Sequence, residues 1–346
     1  MSTRVEDATP VGVNVGAAES AEAVKARGYW TLVLVRFRRD KFAVISFTFV
    51  VFLFLAAFVG APIAAHLLGH GPNDIFPLTG VDPLTQIPKP PWTHVSYMGS
   101  SVYPAPKGTT LFILGGADGT GHDMFLRLLY GAQTSLEVGV FSTVAVVALG
   151  TVMGLAAGYF RGWVDTVISR MIELVMVFPA LLLIIGIDIV AGPKLNGFTF
   201  GFLQPGVFTL VLIFSIFGWF YPARIMRGVV LSLREKEFVE AARMTGASDW
   251  RIMRSHLLPH LVAPIIVYST IAVAGYILAE AGLSFIGLGI LPPTASWGNL
   301  LANAPLYYQS DVWLLIIPGI AILITTIAFN LLGDGLRDAI DPRSTI

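Results

Sequence analysis

LREKEFVEAARMTGASDWRIMRSHLLP, residues 233–259, is charged and broken by a glycine, yet it lies between two long apolar runs. Phe238, Ala241, Ala242 and Met244 interleave with Glu237, Glu240 and Arg243, the pattern of a short amphipathic helix. Gly246 accepts a positive φ and predicts the stop of that helix. Ser248 or Asp249 then caps a second helix carrying Trp250, Ile252, Met253 and Leu257, and Pro259 opens the next apolar run. The product is a helix–turn–helix elbow whose small residues let another surface approach closely. On residue types alone a lipid surface and a protein fit it equally.

The surroundings decide the class. The chain has 346 residues, 55% hydrophobic and 13% charged, with a mean hydropathy of +0.74. That profile belongs to polytopic membrane proteins rather than soluble globules. Net charge is zero, so no polyanion partner is indicated, and cysteine is absent, which excludes disulfide frameworks and thiolate chemistry. The first apolar run starts too late and runs too long for a secretory signal, so it reads as a retained anchor. The leader before it, through residue 25, has no periodicity and is expected to be disordered.

Six stretches reach the length a bilayer needs: 42–68, 135–159, 171–191, 207–223, 261–290 and 312–332. The fifth exceeds one span, so 282–289 is expected to bend away or lie at the interface. With the N-terminus in the cytoplasm, eighteen of the 22 Lys and Arg fall on the cytoplasmic side; Lys89, Lys107, Arg127 and Lys194 fall outside. This asymmetry places both termini, and the elbow, in the cytoplasm. The expected organisation is a cytoplasmic leader 1–41, a first span 42–68, and an extended external loop 69–134 whose proline density disfavours long helices. A five-helix core 135–332 with the cytoplasmic loop 232–260 comes next, then a tail 333–346.

Several side chains invite functional readings. Gly150, Gly154 and Gly158 form a small face on the second span, expected to pack within the chain rather than against another subunit. Glu137, Glu173 and Asp188 lie near expected span ends and are read as snorkelling to the interface. Glu280 is central in its run, where pathway lining and structural hydrogen bonding are both open. The pairs His66/His70 and His256/His260 share a spacing that can hold a metal, but Gly69 and Pro259 interrupt them and no third ligand is near. Ser284 in GLSFIG lacks the second glycine of a hydrolase elbow. Pro62, Pro179, Pro222, Pro264 and Pro318 punctuate the spans and are read mostly as static kinks. None of the six lysines precedes Ser or Thr, so the sequence holds no P-loop, and ATP must be bound elsewhere.

Glu240-Ala241-Ala242, then Gly246, then Leu258-Pro259 resembles the EAA motif of bacterial ABC-importer permeases, with His256 where the family usually has Ile. RLLYGAQTSL (127–136), GYFRGWVD (158–165), GASDWRI (246–252), ILAEAGLSFIGLG (277–289), PPTASWGNLL (292–301) and FNLLGDGLRDAIDPR (329–343) agree in order and spacing. Together they resemble the C-type permease subunit of the dipeptide, oligopeptide and nickel importers. Two departures stand on the external side: His122 where an Arg is common, and a longer 69–121 segment.

The resemblance implies an all-α fold of the type I importer class, in the cytoplasmic membrane of a prokaryote. It implies a sister permease subunit, two cytoplasmic ATPases holding ATP and Mg, and an external substrate-binding protein, with no cofactor on this chain. It implies that Glu240, Ala241, Ala242, Gly246, Ala247, Asp249, Trp250, Leu258 and Pro259 seat the elbow in an ATPase groove, with Glu280 a possible pathway residue. The cargo implied is di- or oligopeptides. Nickel chelates, glutathione or oligosaccharides, and a non-transporting scaffold that anchors an ATPase, are the alternatives.

Overall fold

The computed structural model describes residues 29–340 except Ala105, Asn196 and Phe202. The expected disorder of the leader and the end of the tail, Arg343 included, fall outside the described residues.

A short helix α1 (Tyr29–Arg39), which the sequence pattern did not foretell, precedes a rod made of α2 (Lys41–Leu55), a π-turn (Ala56–Gly60) and α3 (Ala61–Leu68). Asp40 starts this rod by accepting the amides of Phe42 (2.9 Å) and Ala43 (3.2 Å). The π-turn lies just before Pro62, whose missing donor and ring bulk disturb the preceding turn. Gly69, left-handed at φ +75°, ends the rod.

The connection 69–123 is folded rather than loose. Strands β1 (Thr93–Ser96) and β2 (Thr109–Phe112) pair antiparallel, with Thr93 opposite Phe112. Phe76, Val95, Tyr97 and Phe112 form a small buried core beside the ring of His70. His70 Nε2 meets Asp123 Oδ2 at 3.1 Å, and Tyr97 and Thr110 both donate to the Leu68 carbonyl, at 2.6 and 3.0 Å. The connection is thereby stitched to the rods on either side. His70 is buried in this role and His66 is exposed, so the two do not act as a pair.

Helix α4 (Met124–Phe160) is the central element; at 37 residues it is about 55 Å long. It begins eleven residues before the expected span, because Asp123 caps it through the Phe125 and Leu126 amides (2.7 and 3.3 Å). Its first turns are also roofed: Gly131 lies against Trp297, whose indole donates to the Leu128 carbonyl (3.0 Å). Next come α5 (Gly162–Val177) and α6 (Ala180–Leu195), bent by 85°, then α7 (Val207–Gly218) and α8 (Phe220–Leu233), bent by 45°. The third expected span is therefore not one straight helix. Phe178, before Pro179, is extended (φ −79°, ψ 139°), the conformation a following proline imposes. The second bend falls where Pro222 crowds the carbonyl of Gly218. Pro264 and Pro318, by contrast, lie within continuous helices.

Helices α9 (Glu237–Met244) and α10 (Asp249–Arg251), a second π-turn (Ile252–Leu257) and α11 (Leu258–Phe285) come after α8, then α12 (Trp297–Tyr307) and α13 (Trp313–Ile340). The fifth run leaves the helix at Phe285 and turns through Gly287 and Gly289, both at positive φ, as its length required. Helix α12 was not expected, and α13 continues helical to Ile340, past the expected end of the sixth span. Among the described residues four helices are long and apolar enough to cross a membrane, and up to six spans result if each bent pair counts as one.

The main core lies where α4, α11, α12 and α13 meet, around Leu136, Ile277, Trp297, Leu300 and Phe329. On the other side α4 meets α8 through its small face. A Cβ on Gly150 would come within 2.5 Å of Pro222, on Gly154 within 2.5 Å of the Ala223 carbonyl, and on Gly158 within 2.8 Å of Val230. These glycines pack within the chain, as their spacing suggested.

Candidate functional site

The elbow takes the form its residues specify. Helix α9 closes in a Schellman turn: Ala247 N–H donates to the Ala242 carbonyl (3.0 Å) and Gly246 N–H to that of Arg243 (2.9 Å). Gly246 has φ +80°, a value that strains any residue with a Cβ. Ser248 caps the second arm, its hydroxyl accepting the Arg251 amide at 3.4 Å.

One face of the elbow is glued down. Val239, Ala242, Ile252, Met253 and Leu257 are buried with Met226 and Val230 of α8, Tyr159 of α4 and Leu261 of α11. The other face is open. Glu240 and Ala241 are exposed, Met244 is 81% exposed and Trp250 66%. Between the arms lies a concavity of about 590 Å³, with Ala241, Ala242, Gly246 and Ala247 in its lining and Phe238 and Arg251 at its walls. A floor of Cβ atoms and a glycine lets a partner's side chain reach the backbone.

The structure thus brings Ala241, Ala242, Gly246 and Ala247 to one surface, whereas Glu240 is exposed on α9 outside that lining. Asp249 is exposed but committed, because the Tyr159 hydroxyl donates to its Oδ1 at 2.6 Å. Trp250 and half-buried Leu258 line a separate apolar groove of about 280 Å³ along Thr151, Leu155 and Phe160 of α4. Pro259 is exposed at the start of α11, and His260 stacks beside Phe238, with ring centroids 5.2 Å apart.

The sequence assigned no task to the α4–α5 corner, GYFRGWVD, yet this corner holds the elbow. Arg161 pairs with Glu235. Asp165 takes a two-pronged contact from Arg227, 2.5 and 2.8 Å. Arg234 donates to the Tyr159 carbonyl at 2.5 Å, and the Arg243 guanidinium sits 5.4 Å from the Tyr159 ring centre. Tyr159 is the common member of these last two contacts and of the bond to Asp249. The visible signal was charge of both signs in 158–165 and again in 224–243, although sequence alone could not pair them.

At the opposite end of α4, Glu280 has no exposed surface, and Ser135 and Ser284 donate to its two oxygens, each at 2.8 Å. The same hydroxyls accept the amides of Trp297 (3.4 Å) and Ile290 (3.1 Å). Glu280 and the two serines thereby form a hydrogen-bonded clasp between α4, α11 and the segment 286–296. Asp188 and Glu137, expected to snorkel, are buried instead and act similarly: Asp188 accepts the Gly289 amide (3.0 Å), Glu137 that of Gln204 (2.9 Å). The loops fold back over these carboxylates, so nearness to a span end does not bring them to water. Glu173 does stay exposed, pairing with Arg170 at 2.6 Å.

Comparison with known proteins gives the architecture its place. Residues 150–346 match the family of binding-protein-dependent transport system inner membrane components, and residues 28–83 match the N-terminal transmembrane domain of oligopeptide transport permease C. A putative peptide transport system permease of Brucella suis is 44% identical over 230 residues, 66% of this chain and 73% of that protein. A dipeptide transport system permease of Alkalihalophilus pseudofirmus is 40% identical over 229 residues, 66% of this chain and 71% of that one. A glutathione transport system permease of Pectobacterium atrosepticum is 40% identical over 228 residues, 66% of this chain and 72% of that one. Among solved structures, an inward-facing methionine ABC transporter chain aligns with a TM-score of 0.51 at 16% identity, covering 63% of this chain and 98% of that one, a likeness of fold. The chain belongs to the binding-protein-dependent transport system inner membrane components, as a permease of the oligopeptide permease C group.

Proposed function

We propose that this chain is one of two permease subunits of an ATP-driven importer, spanning the cytoplasmic membrane six times with both termini inside. The elbow, 232–260, seats in a groove of a partner ATPase, which alone binds ATP and Mg. The folded connection 69–123 faces outward, towards a substrate-binding protein. The observation that supports the coupling role best is the open concavity of small residues on the elbow, whose other face is packed onto α4, α8 and α11. A docked partner therefore moves those helices with it when the ATPases close and reopen. Glu240 stands exposed on α9 as a polar contact for that partner, and Gly246 sets the angle between the arms.

The cargo is di- or oligopeptide, in line with the similarity to peptide and dipeptide permeases. Glutathione, itself a small peptide, is the second reading, favoured by the similarity to the Pectobacterium permease. Competition between labelled dipeptide and unlabelled glutathione, in vesicles holding the full complex, separates the two.

The coupling role is tested with Glu240→Lys and Gly246→Pro. The first reverses the charge of an exposed side chain on α9. The second asks proline, fixed near φ −65°, to adopt +80°. Both are expected to insert normally, to abolish ATP-dependent uptake and to uncouple ATP hydrolysis from it. Full uptake by both variants would overturn the coupling role.

A further inference from the structure

Helix α1 has two faces and only one is accounted for. Val33 and Phe37 pack on Ala263, Ile266 and Val267 of α11 and on Ala339 and Ile340 of α13. The flanks of that packed face begin apolar, with Leu32 and Leu34 on either edge 41% and 49% exposed. They end cationic, with Arg38 and Arg39 exposed and Lys41 exposed just beyond. Asp40, the acid between them, is occupied in capping α2.

The apolar rod fixes the position of these cations. Phe42 and Ile45, 71% and 63% exposed, begin that rod at once, so the guanidinium and ammonium groups stand where hydrocarbon gives way to headgroups. Water alone would leave two leucines unsheltered. An interfacial helix buries such leucines at the acyl boundary and sets its cations against lipid phosphate.

We propose that α1 lies in the cytoplasmic-leaflet interface and that Arg38, Arg39 and Lys41 hold anionic phospholipid headgroups. The proposal rests on the reading of residues 41–68 as a membrane span and is independent of cargo. Since the inner face of α1 grips α11 and α13, bound lipid braces the cytoplasmic ends of both helices, and α11 is the continuation of the elbow.

The native chain lacks cysteine, so Leu34→Cys supplies one labelling site on it. The complete transporter, its other subunits blocked before labelling, carries a fluorophore there in nanodiscs of phosphatidylcholine with phosphatidylglycerol. Quenching is compared for shallow nitroxides on each lipid and for aqueous iodide. The expected result is strong quenching by shallow lipid nitroxide, about twofold greater from phosphatidylglycerol than from phosphatidylcholine at equal abundance. Salt, or Arg38→Gln with Arg39→Gln and Lys41→Gln, should remove that difference. Equal quenching by the two lipids, quenching by iodide alone, or protection from every quencher (a protein covering α1) would each overturn the proposal. The lipid comparison needs only the native cations, so it holds if the triple variant fails to assemble. A control label at Ile45→Cys, expected to respond to deep nitroxides, shows separately whether the span reading has failed.

Discussion

The hydroxyl of Tyr159, next to last in α4, donates at 2.6 Å to the carboxylate of Asp249, which opens the second arm of the elbow. This bond ties the 37-residue helix α4 to the segment proposed to meet the ATPase. Removing it with Tyr159→Phe should cost about 1 kcal/mol, below the usual range for a charged acceptor because Asp249 is exposed. Uptake should fall about fivefold with normal insertion. Asp249→Asn should add little to Tyr159→Phe in a double-mutant cycle on vesicle uptake; additive losses would show that the two act separately.

The α4–α8 contact allows a matched comparison. Gly154→Ala places a methyl group 2.5 Å from the Ala223 carbonyl, and the expected loss is about 1–3 kcal/mol of stability. Gly228→Ala, on α8 with open space around it, should be neutral or stabilising by up to about 1 kcal/mol. Thermal unfolding of the two purified variants, followed by fluorescence, tests the ordering.

Glu280 should behave as a clasp. Glu280→Gln keeps an amide able to meet both serine hydroxyls and is expected to retain most uptake. Glu280→Ala leaves Ser135 and Ser284 without acceptors at full burial, costing about 1–3 kcal/mol and loosening 286–296. Hydrogen exchange at Ile290 and Trp297 reads the loosening directly. Loss of uptake by the glutamine variant with both amides still protected would instead mark a pathway role.

Acid should act on the connection 69–123 through Asp118. Burial pushes this carboxyl up, but the hydrogen bond and charge of His122, a hydrogen bond from Thr120 and the charge of Arg127 together hold it well below the usual carboxylate range. A depressed carboxylate stabilises the fold above its unfolded value, about 3.9, and that contribution disappears as pH falls through the folded value. The stabilisation that Asp118 gives the connection should therefore be full down to about pH 4 and decline progressively below it. Asp118→Asn should remove this acid sensitivity, as monitored by exchange at the Ala117 and Gly121 amides.

Much of this was legible in the sequence because the signals were local. Gly246, Ser248 and the spacing of Phe238, Ala241 and Ala242 each act within a few residues, and the elbow forms as they specify. Hydropathy located the apolar runs but could not show the 85° bend, because a proline such as Pro179 kinks one helix and breaks another depending on its neighbours. The burial of Glu137 and Asp188 depends on loops 67 and 101 residues away folding over them. The start of α4 was hidden for a similar reason: RLLYGAQ reads as a polar edge until Trp297 covers it. Tyr159 looked like one aromatic among many, and its importance arises only when Arg234, Arg243 and Asp249 converge on it.

The backbone contact at Gly150, Gly154 and Gly158 also has a mechanical meaning. With no α4 side chain at these three positions, only Pro222, Met226 and Val230 of α8 fill the seam, and the two helices move as one lever. A tilt of about 5° on a rod about 55 Å long carries its far end about 5 Å. A displacement of that size at the elbow would arrive at the clasp of Ser135 and Glu280 as a change of angle, with little lost to bending on the way.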